Sequence, residues 1–110
     1  MRTGVVDGSE YVTKGARYAR TFTIRSGYRY LADGVNTGEL QCFVIPSSQL
    51  AAFNAGQSFT HYTEYAQTGG NCPGLLELKL PAGSYALAFR NPSGSTDAAL
   101  TFTIEEWRIN

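Results

Sequence analysis

The sequence predicts an all-β protein, an antiparallel β-sandwich of the jelly-roll type with one short helical insert. Three observations predict this fold. Apolar residues alternate with polar ones along most of the chain, which is the period of half-buried strands. Twelve glycines supply turns, while seven tyrosines and six phenylalanines favour strands. Helical spacing is confined to residues 47–56, which are too few for more than one or two turns.

The length and charge of the chain limit its domain count and its partners. At 110 residues the chain matches one compact domain, residues 1–110. The formal net charge is zero, which argues against nucleic-acid binding because phosphate contacts need a basic excess. Basic groups are concentrated in residues 1–30. If Arg17, Arg25 and Arg29 share one sheet surface, that surface would suit an acidic partner, but we favour the alternative that they are solvated strand positions beside acidic neighbours.

The first predicted strands lie in residues 16–38. In "ARYARTFTI" (residues 16–24), Arg20 interrupts an apolar face, which places Arg20 near a sheet edge or at the rim of the core. The apolar side chains of that face are Tyr18, Phe22 and Ile24. A short strand, "YRYLA" (residues 28–32), follows, and "DGVNTG" (residues 33–38) has enough Gly, Asn and Asp to be a loop.

The next segment contains the predicted central strand and the helical insert. "ELQCFVI" (residues 39–45) is apolar on both faces, as expected of a strand covered on both sides, and Pro46 ends it. In "SSQLAAFNAG" (residues 47–56), either serine can cap a helix start and Gly56 can end the helix. The side chains that we expect to plug one end of the sandwich are Leu50 and Phe53.

Residues 58–66, "SFTHYTEYA", are predicted to form an edge strand. Aromatic residues occur on both of its faces, so neither face is plainly a core face. An edge strand with aromatic side chains available to solvent is a candidate binding surface, and its free edge would also allow a homodimer.

The segment "GLLELKLPAGSYALAFRN" (residues 74–91) is predicted to form a hairpin with "PAG" at its turn. The inward side chains of its two arms are Leu76, Leu78, Leu80, Tyr85, Leu87 and Phe89. On the reverse face, Ala86 and Ala88 are small enough for another element to approach closely, and the alternative is that they are weakly exposed positions.

A final strand follows the predicted turn "NPSGST" (residues 91–96). It places Leu100, Phe102 and Ile104 inward. The alternation breaks at Glu105 and Glu106, which predicts a bulge that buries Trp107.

The two cysteines, Cys42 and Cys72, are candidates for a disulfide. Bridged across their separation of 30 positions, they would stabilise the fold by about 3 to 4 kcal/mol and indicate an oxidising compartment. Two free thiols are the alternative. A structural zinc site would be one ligand short, because His61 is the only histidine, and we expect no metal and no cofactor.

The order of these segments resembles GOLD-type β-sandwiches and the prepeptidase C-terminal domains of secreted bacterial enzymes. The motifs that carry the resemblance are the two-faced strand "CFVI", the insert "SSQLAAFNAG", the hairpin "LPAGSYALAFRN" and the final strand "LTFTIEEW", within residues 38–107. GOLD domains of the secretory pathway typically have their second cysteine where this chain has Ala88, which argues against a cargo receptor. The resemblance implies an accessory or interaction domain of an exported protein, in an extracellular or periplasmic location. The N-terminal segment has no signal-peptide core, and no apolar stretch approaches the roughly 20 residues that span a bilayer.

The sequence favours a binding role over catalysis. It has no Gly-x-Ser-x-Gly, phosphate-loop or His-Glu-x-x-His motif. Glu64 and Glu77 are a conceivable pair of acids for sugar hydrolysis, whereas Glu105 and Glu106 would point to opposite faces of a regular strand and are a poor catalytic pair. We therefore predict a non-catalytic module that binds a protein partner or a domain of its parent protein. The alternative is a carbohydrate-binding module that stacks oligosaccharides on exposed rings. The candidate binding residues are Tyr28, Tyr30, His61, Tyr62, Glu64 and Tyr65.

Overall fold

The computed structural model describes residues 2–38, 40–69, 72, 74–92 and 97–109. These residues form eight strands and one short helix. A 3-10 turn, Ser47–Gln49, leads directly into the helix α1, Leu50–Asn54. The strands are β1 (Arg2–Val12), β2 (Arg17–Ile24), β3 (Tyr28–Asn36), β4 (Leu40–Pro46), β5 (Gln67–Gly69), β6 (Leu76–Glu77), β7 (Gly83–Arg90) and β8 (Ala98–Arg108).

The strands form two four-stranded antiparallel sheets. Sheet A has the order β1-β8-β3-β6, and sheet B has the order β2-β7-β4-β5. The first four strands therefore pair with the last four in reverse order, β1 with β8, β2 with β7, β3 with β6 and β4 with β5. A chain doubled back on itself and rolled into two sheets in this way is a jelly roll, so the predicted fold class is confirmed.

The main core lies between the two sheets. The predicted inward residues of the last strand, Leu100, Phe102 and Ile104, are buried there. From sheet B, the core receives Phe22, Ile24, Cys42, Val44, Tyr85, Leu87 and Phe89. Alternation along the strands therefore predicted correctly which face of each strand is buried.

A second apolar cluster lies on the outer face of sheet B. It contains Phe43, Ile45, Phe53, Ala86 and Ala88. Phe53 comes from α1, so the helix covers the outer face of the sheet, and the prediction that it plugs one end of the sandwich is wrong. The small side chains of Ala86 and Ala88 permit this close approach, as predicted.

The ends of the helical insert differ in how well they were predicted. Pro46 occupies the position before the helical segment, and no side-chain cap bond forms there, so the predicted serine cap is absent at this end. At the other end Gly56 has a positive φ of 73° and donates its N–H to the carbonyl of Phe53, as expected of a helix-ending glycine.

Residues 58–66 do not form the predicted edge strand. The segment has no regular structure up to Tyr62 and then makes a 3-10 turn, Thr63–Tyr65. Phe59 packs with the cluster on the outer face of sheet B, whereas Tyr62 and Tyr65 pack against the main core. The segment carries aromatic side chains on both faces because it crosses from the outside of the sheet to the inside. The edge of sheet B next to β4 is instead formed by the three-residue strand β5.

The predicted hairpin of residues 74–91 has the right buried faces and the wrong pairing. Strand β6 pairs with β3 in sheet A, whereas β7 pairs with β2 and β4 in sheet B. The "PAG" turn therefore connects the two sheets. Alternation identifies the buried face of a strand and does not identify the neighbouring strand.

Three further details of the strands were not predicted correctly. Strand β1 had no counterpart in the sequence-based prediction, and β3 continues to Asn36 through the expected loop of residues 33–38. The register of β8 with β3 is continuous past Glu106, while the irregularity lies in β1, between Arg2 and Gly4. Trp107 is consequently half-buried on the outer face of sheet A. Four residues of the expected turn at 91–96, residues 93–96, lie outside the described residues.

A disulfide joins Cys42 in β4 to Cys72, and both cysteines are fully buried. It ties the central strand of sheet B to the segment that leads towards sheet A, which makes it a link between the two halves of the chain. The disulfide is compatible with an oxidising compartment. Among the described residues, no helix is long enough and apolar enough to cross a bilayer.

Reduction of this disulfide should lower the free energy of unfolding by about 3 kcal/mol, because the unfolded chain regains the freedom of a loop closed over 30 positions. Urea unfolding at pH 7 with and without dithiothreitol, followed by the fluorescence of Trp107, measures the difference. A Cys42→Ala/Cys72→Ala variant is the control and should not respond to the reductant. Equal midpoints for the reduced and oxidised wild type would contradict the prediction.

Candidate functional site

One end of the sandwich carries a polar cluster centred on Glu106 of β8. The Glu106 carboxylate accepts hydrogen bonds from Arg25 Nε at 3.0 Å and from Thr3 Oγ1 at 2.9 Å. It also accepts bonds from Arg25 Nη2 and from the hydroxyl of Tyr30. Both carboxylate oxygens are thus satisfied by charged or hydroxyl donors, so a single acid ties β1, β3 and the residue after β2 to β8.

This arrangement controls how the cluster ionises. Hydrogen bonds from the Arg25 guanidinium lower the pKa of Glu106 to about 2, although partial burial opposes the change. The pKa of Tyr30 is raised, chiefly by burial and then by its bond to the Glu106 carboxylate. The pKa of Arg25 is raised by the same ion pair. At neutral pH the cluster therefore holds a paired carboxylate and a neutral phenol, which favours a structural role over a role in proton transfer.

Next to this cluster lies an open cleft of about 520 Å³ at the same end of the molecule. Its lining includes the candidate residues Tyr28 and Tyr30, of which Tyr30 is buried. The guanidinium carbon of Arg25 lies 4.1 Å from the ring centroid of Tyr28 and covers one face of that ring. On the cleft wall, Arg29 Nε donates to Glu77 Oε2 at 3.2 Å, and this bond lowers the pKa of Glu77.

Two other candidate tyrosines support the wall of the cleft. The hydroxyl of Tyr65 accepts a hydrogen bond from the backbone N–H of Lys79 at 2.8 Å. Tyr62 makes an edge contact with Tyr85, and the hydroxyl of Tyr85 donates to the carbonyl of Pro81 at 2.6 Å. Tyr62 and Tyr65 therefore support residues 78–82 of the cleft wall, whereas Tyr28 and Tyr30 line the cleft itself.

The remaining candidate residues lie elsewhere. His61 packs among rings of the outer cluster of sheet B, with centroids 5.0 Å from Phe43 and 5.8 Å from Phe59. Glu64 is exposed on the turn Thr63–Tyr65. The six candidate residues thus do not form a single surface, because the tyrosines gather around one end of the sandwich and His61 faces another way.

A second surface feature, the free edge of β1, was missed by the sequence-based prediction. Strand β1 is 11 residues long, and among the described residues it pairs with β8 alone, on one side. Beside it, a cavity of about 200 Å³ opens between the edges of the two sheets. The residues that line this cavity are Gly4, Val5, Val6, Phe22, Thr23, Tyr30, Ile104 and Glu106. Two glycines and several polar residues in "RTGVVDGSEYV" obscure the strand pattern, and only the ladder with β8 makes the edge visible.

The outer face of sheet A next to this edge is open. Large apolar side chains are exposed on it, with Val5 47% exposed, Tyr11 74% and Val35 60%. This face contrasts with that of sheet B, where α1 and residues 57–62 cover the strands. The open face and the β1 edge are continuous, because Val5 and Tyr11 belong to β1.

The described part of the chain contains no cluster of three His, Cys, Asp or Glu residues that could hold a metal ion. Comparison of the chain with models of known protein families and with curated proteins found no match. The resemblance to GOLD-type and prepeptidase C-terminal domains therefore stays a prediction, and the class of protein that the fold defines is a jelly-roll β-sandwich.

Replacement of Glu106 by glutamine should remove the part of the free energy of unfolding that depends on the ionisation of Glu106. The pKa of Glu106 in the folded state, about 2, lies below the ordinary value of 4.5, so its contribution is complete above pH 5 and disappears as the pH falls from about 4.5 to 2. At pH 7, Glu106→Gln should lower the free energy of unfolding by about 2 kcal/mol. Chemical unfolding at pH 7, 5, 3 and 2 measures both effects.

The matched control is Glu64→Gln, a change of the same kind at an exposed position. We expect it to leave the free energy of unfolding at pH 7 nearly unchanged. The difference between wild type and Glu106→Gln should shrink as the pH approaches 2. A difference that stays constant over the whole pH range would show that the carboxylate charge is not the cause.

Proposed function

We propose that this jelly roll is a non-catalytic protein-interaction domain of an exported protein, and that its β1 edge receives an extended strand of a partner. The observation that carries the proposal is the free edge of this 11-residue strand. In an antiparallel pair, alternate residues direct their N–H and C=O groups away from the partner strand. Those groups on β1 require either water or another backbone, and an added strand supplies the latter.

The other edges of the two sheets are poorer acceptors. Strands β6 and β5 have two and three residues. Strand β2 has eight residues, but Arg20 is exposed and lies on the same face of the strand as its inward residues. A charged side chain on the inward face of an edge strand protects that strand against the addition of another. Glu10 has the same effect at the far end of β1, so the accessible stretch is residues 3–9.

The cavity beside β1 offers a means of recognition. Gly4 has no side chain, so the space above Glu106 is left open, and Val6, Phe22 and Ile104 supply apolar walls. A volume of about 200 Å³ accommodates one medium-sized apolar side chain. Glu106 is already neutralised by Arg25, so the cavity does not demand a cationic partner. We expect an added strand to contribute its backbone to β1 and one inward apolar side chain to this cavity.

The buried disulfide supports an exported setting, extracellular or periplasmic, because such bonds persist in oxidising compartments. The alternative function, oligosaccharide binding, is supported by the end cleft. Its volume of about 520 Å³ lies in the range of small-ligand sites, and Tyr28 offers one ring at its lining. The burial of Tyr30 and the coverage of Tyr28 by Arg25 leave less ring surface for stacking than the sequence suggested.

The test of edge recognition uses a phage-displayed library of random 12-residue peptides. Selected peptides should have alternating apolar residues, and their titration into labelled protein should shift amide resonances of residues 3–9. Val5→Lys should weaken this binding at least tenfold, because it sets a charge beside the incoming strand. The matched control is Val35→Lys, which changes an exposed valine on the same outer face, in β3 and not in β1, and should retain binding.

Several outcomes would overturn the proposal. One is the recovery of no binding peptide. Another is loss of binding in Val35→Lys with retention in Val5→Lys, which would indicate docking on the open face. A third concerns a panel of oligosaccharides titrated in the same way. It is a shift of the amide resonances of Tyr28 and Lys79 with no shift in β1. A wild-type dimer that dissociates on Val5→Lys would show that a second copy of this chain, not a separate protein, occupies the edge.

A further inference from the structure

Two arginines face each other on the outer face of sheet B. Arg17, the first residue of β2, is directly opposite Arg90, the last residue of β7. Side chains that are directly opposite across an antiparallel pair lie close together, and like charges there are destabilising. Both side chains end in a positively charged guanidinium group. The juxtaposition therefore needs a compensating interaction.

Part of the compensation comes from aromatic rings. The guanidinium carbon of Arg17 lies 5.3 Å from the ring centroid of Phe53 in α1. The guanidinium carbon of Arg90 lies 5.2 Å from the centroid of Phe43 and 5.9 Å from that of Phe59. Because these rings belong to the packed outer cluster, they hold the two guanidinium groups in place over apolar surface.

The rings do not satisfy the hydrogen-bond donors. In the described residues, no carboxylate lies within ion-pair distance of either arginine. Nε of Arg90 donates to Gln41 Oε1 at 2.8 Å, and no other donor of the two side chains has a hydrogen-bond acceptor there. Nη1 of Arg17 is buried and has no hydrogen-bond partner among the residues that the structure describes. An unsatisfied buried donor is costly, and here it belongs to a charged group.

We propose that Arg17 and Arg90 form a binding site for an oxyanion. A carboxylate, phosphate or sulfate group has the planar or tetrahedral oxygens that match the donor edge of a guanidinium, and one such group bridging both arginines would relieve their repulsion. Both residues are partly exposed, so a solute can reach the exposed parts of the two side chains. The site is separate from the β1 edge, which belongs to the other sheet, and it does not depend on the proposed strand addition.

The chain contains a matched reference for this site. Arg20 lies on the same strand as Arg17, is exposed and contacts none of the rings of the outer cluster. A nonspecific effect of salt on cationic surface groups would act on Arg20 as it acts on Arg17. An anion bound at a specific site would affect Arg17 and Arg90 alone.

The test compares thermal unfolding of the protein in sodium sulfate, sodium acetate and sodium chloride, with sodium chloride added so that all samples have the same ionic strength. We expect sulfate, acetate or both at 20 mM to raise the Tm of the wild type by about 3 °C more than chloride does. Arg17→Gln and Arg90→Gln should lose this excess, whereas Arg20→Gln should keep it. A response to sulfate alone would identify a phosphate or sulfate group as the ligand class, and a response to acetate alone would identify a carboxylate.

A second measurement needs no variant and so holds even if the substitutions impair folding. Titration of the wild type with sulfate and acetate, followed through the side-chain Nε–H resonances of its arginines, should move the signals of Arg17 and Arg90 in a saturable way and leave that of Arg20 in place. The proposal is overturned if the Tm excess is the same in all four proteins, or if the three arginine signals respond alike.

Discussion

The structure depends on the pairing of the first half of the chain with the second half in reverse order. Each of the four ladders that join the halves, from β1 with β8 to β4 with β5, links residues that are distant in sequence. Burial of alternate side chains between the two sheets stabilises these ladders. The disulfide of Cys42 with Cys72 reinforces the pairing near the point where the chain turns back.

The same turning point makes the two outer faces of the sandwich unequal. The helix α1 and the following aromatic segment lie between β4 and β5, so they can fold back onto sheet B and cover it. In the described part of the chain no such insert covers sheet A, and its edge strand β1 has no second partner strand. The two proposed sites follow from this asymmetry. Strand addition uses the uncovered sheet, while the two arginines lie on the covered one, where the aromatic rings that hold them are available.

The sequence predicted local features well and tertiary relations poorly. Period-two alternation identified the buried faces of β2, β7 and β8, because it depends only on the residues of one strand. It did not show that β6 and β7 belong to different sheets, which depends on long-range pairing. Glu106 appeared to break the pattern of β8, yet it is an inward residue whose charge is satisfied by Arg25. The opposition of Arg17 and Arg90 arises only from the register of two strands about 70 residues apart, so no local motif announces it.

The central claim, that β1 is an open edge in the free protein, is tested most directly by amide hydrogen exchange. The account predicts alternation along residues 3–9, with slow exchange where an amide bonds to β8 and fast exchange at the residues between them, whose amides face solvent. Alternate amides on the interior strand β8 should show no such contrast, since that strand pairs with β1 on one side and β3 on the other along most of its length. Uniform protection of every amide in β1 would show that its outer edge is already covered, and would contradict the account.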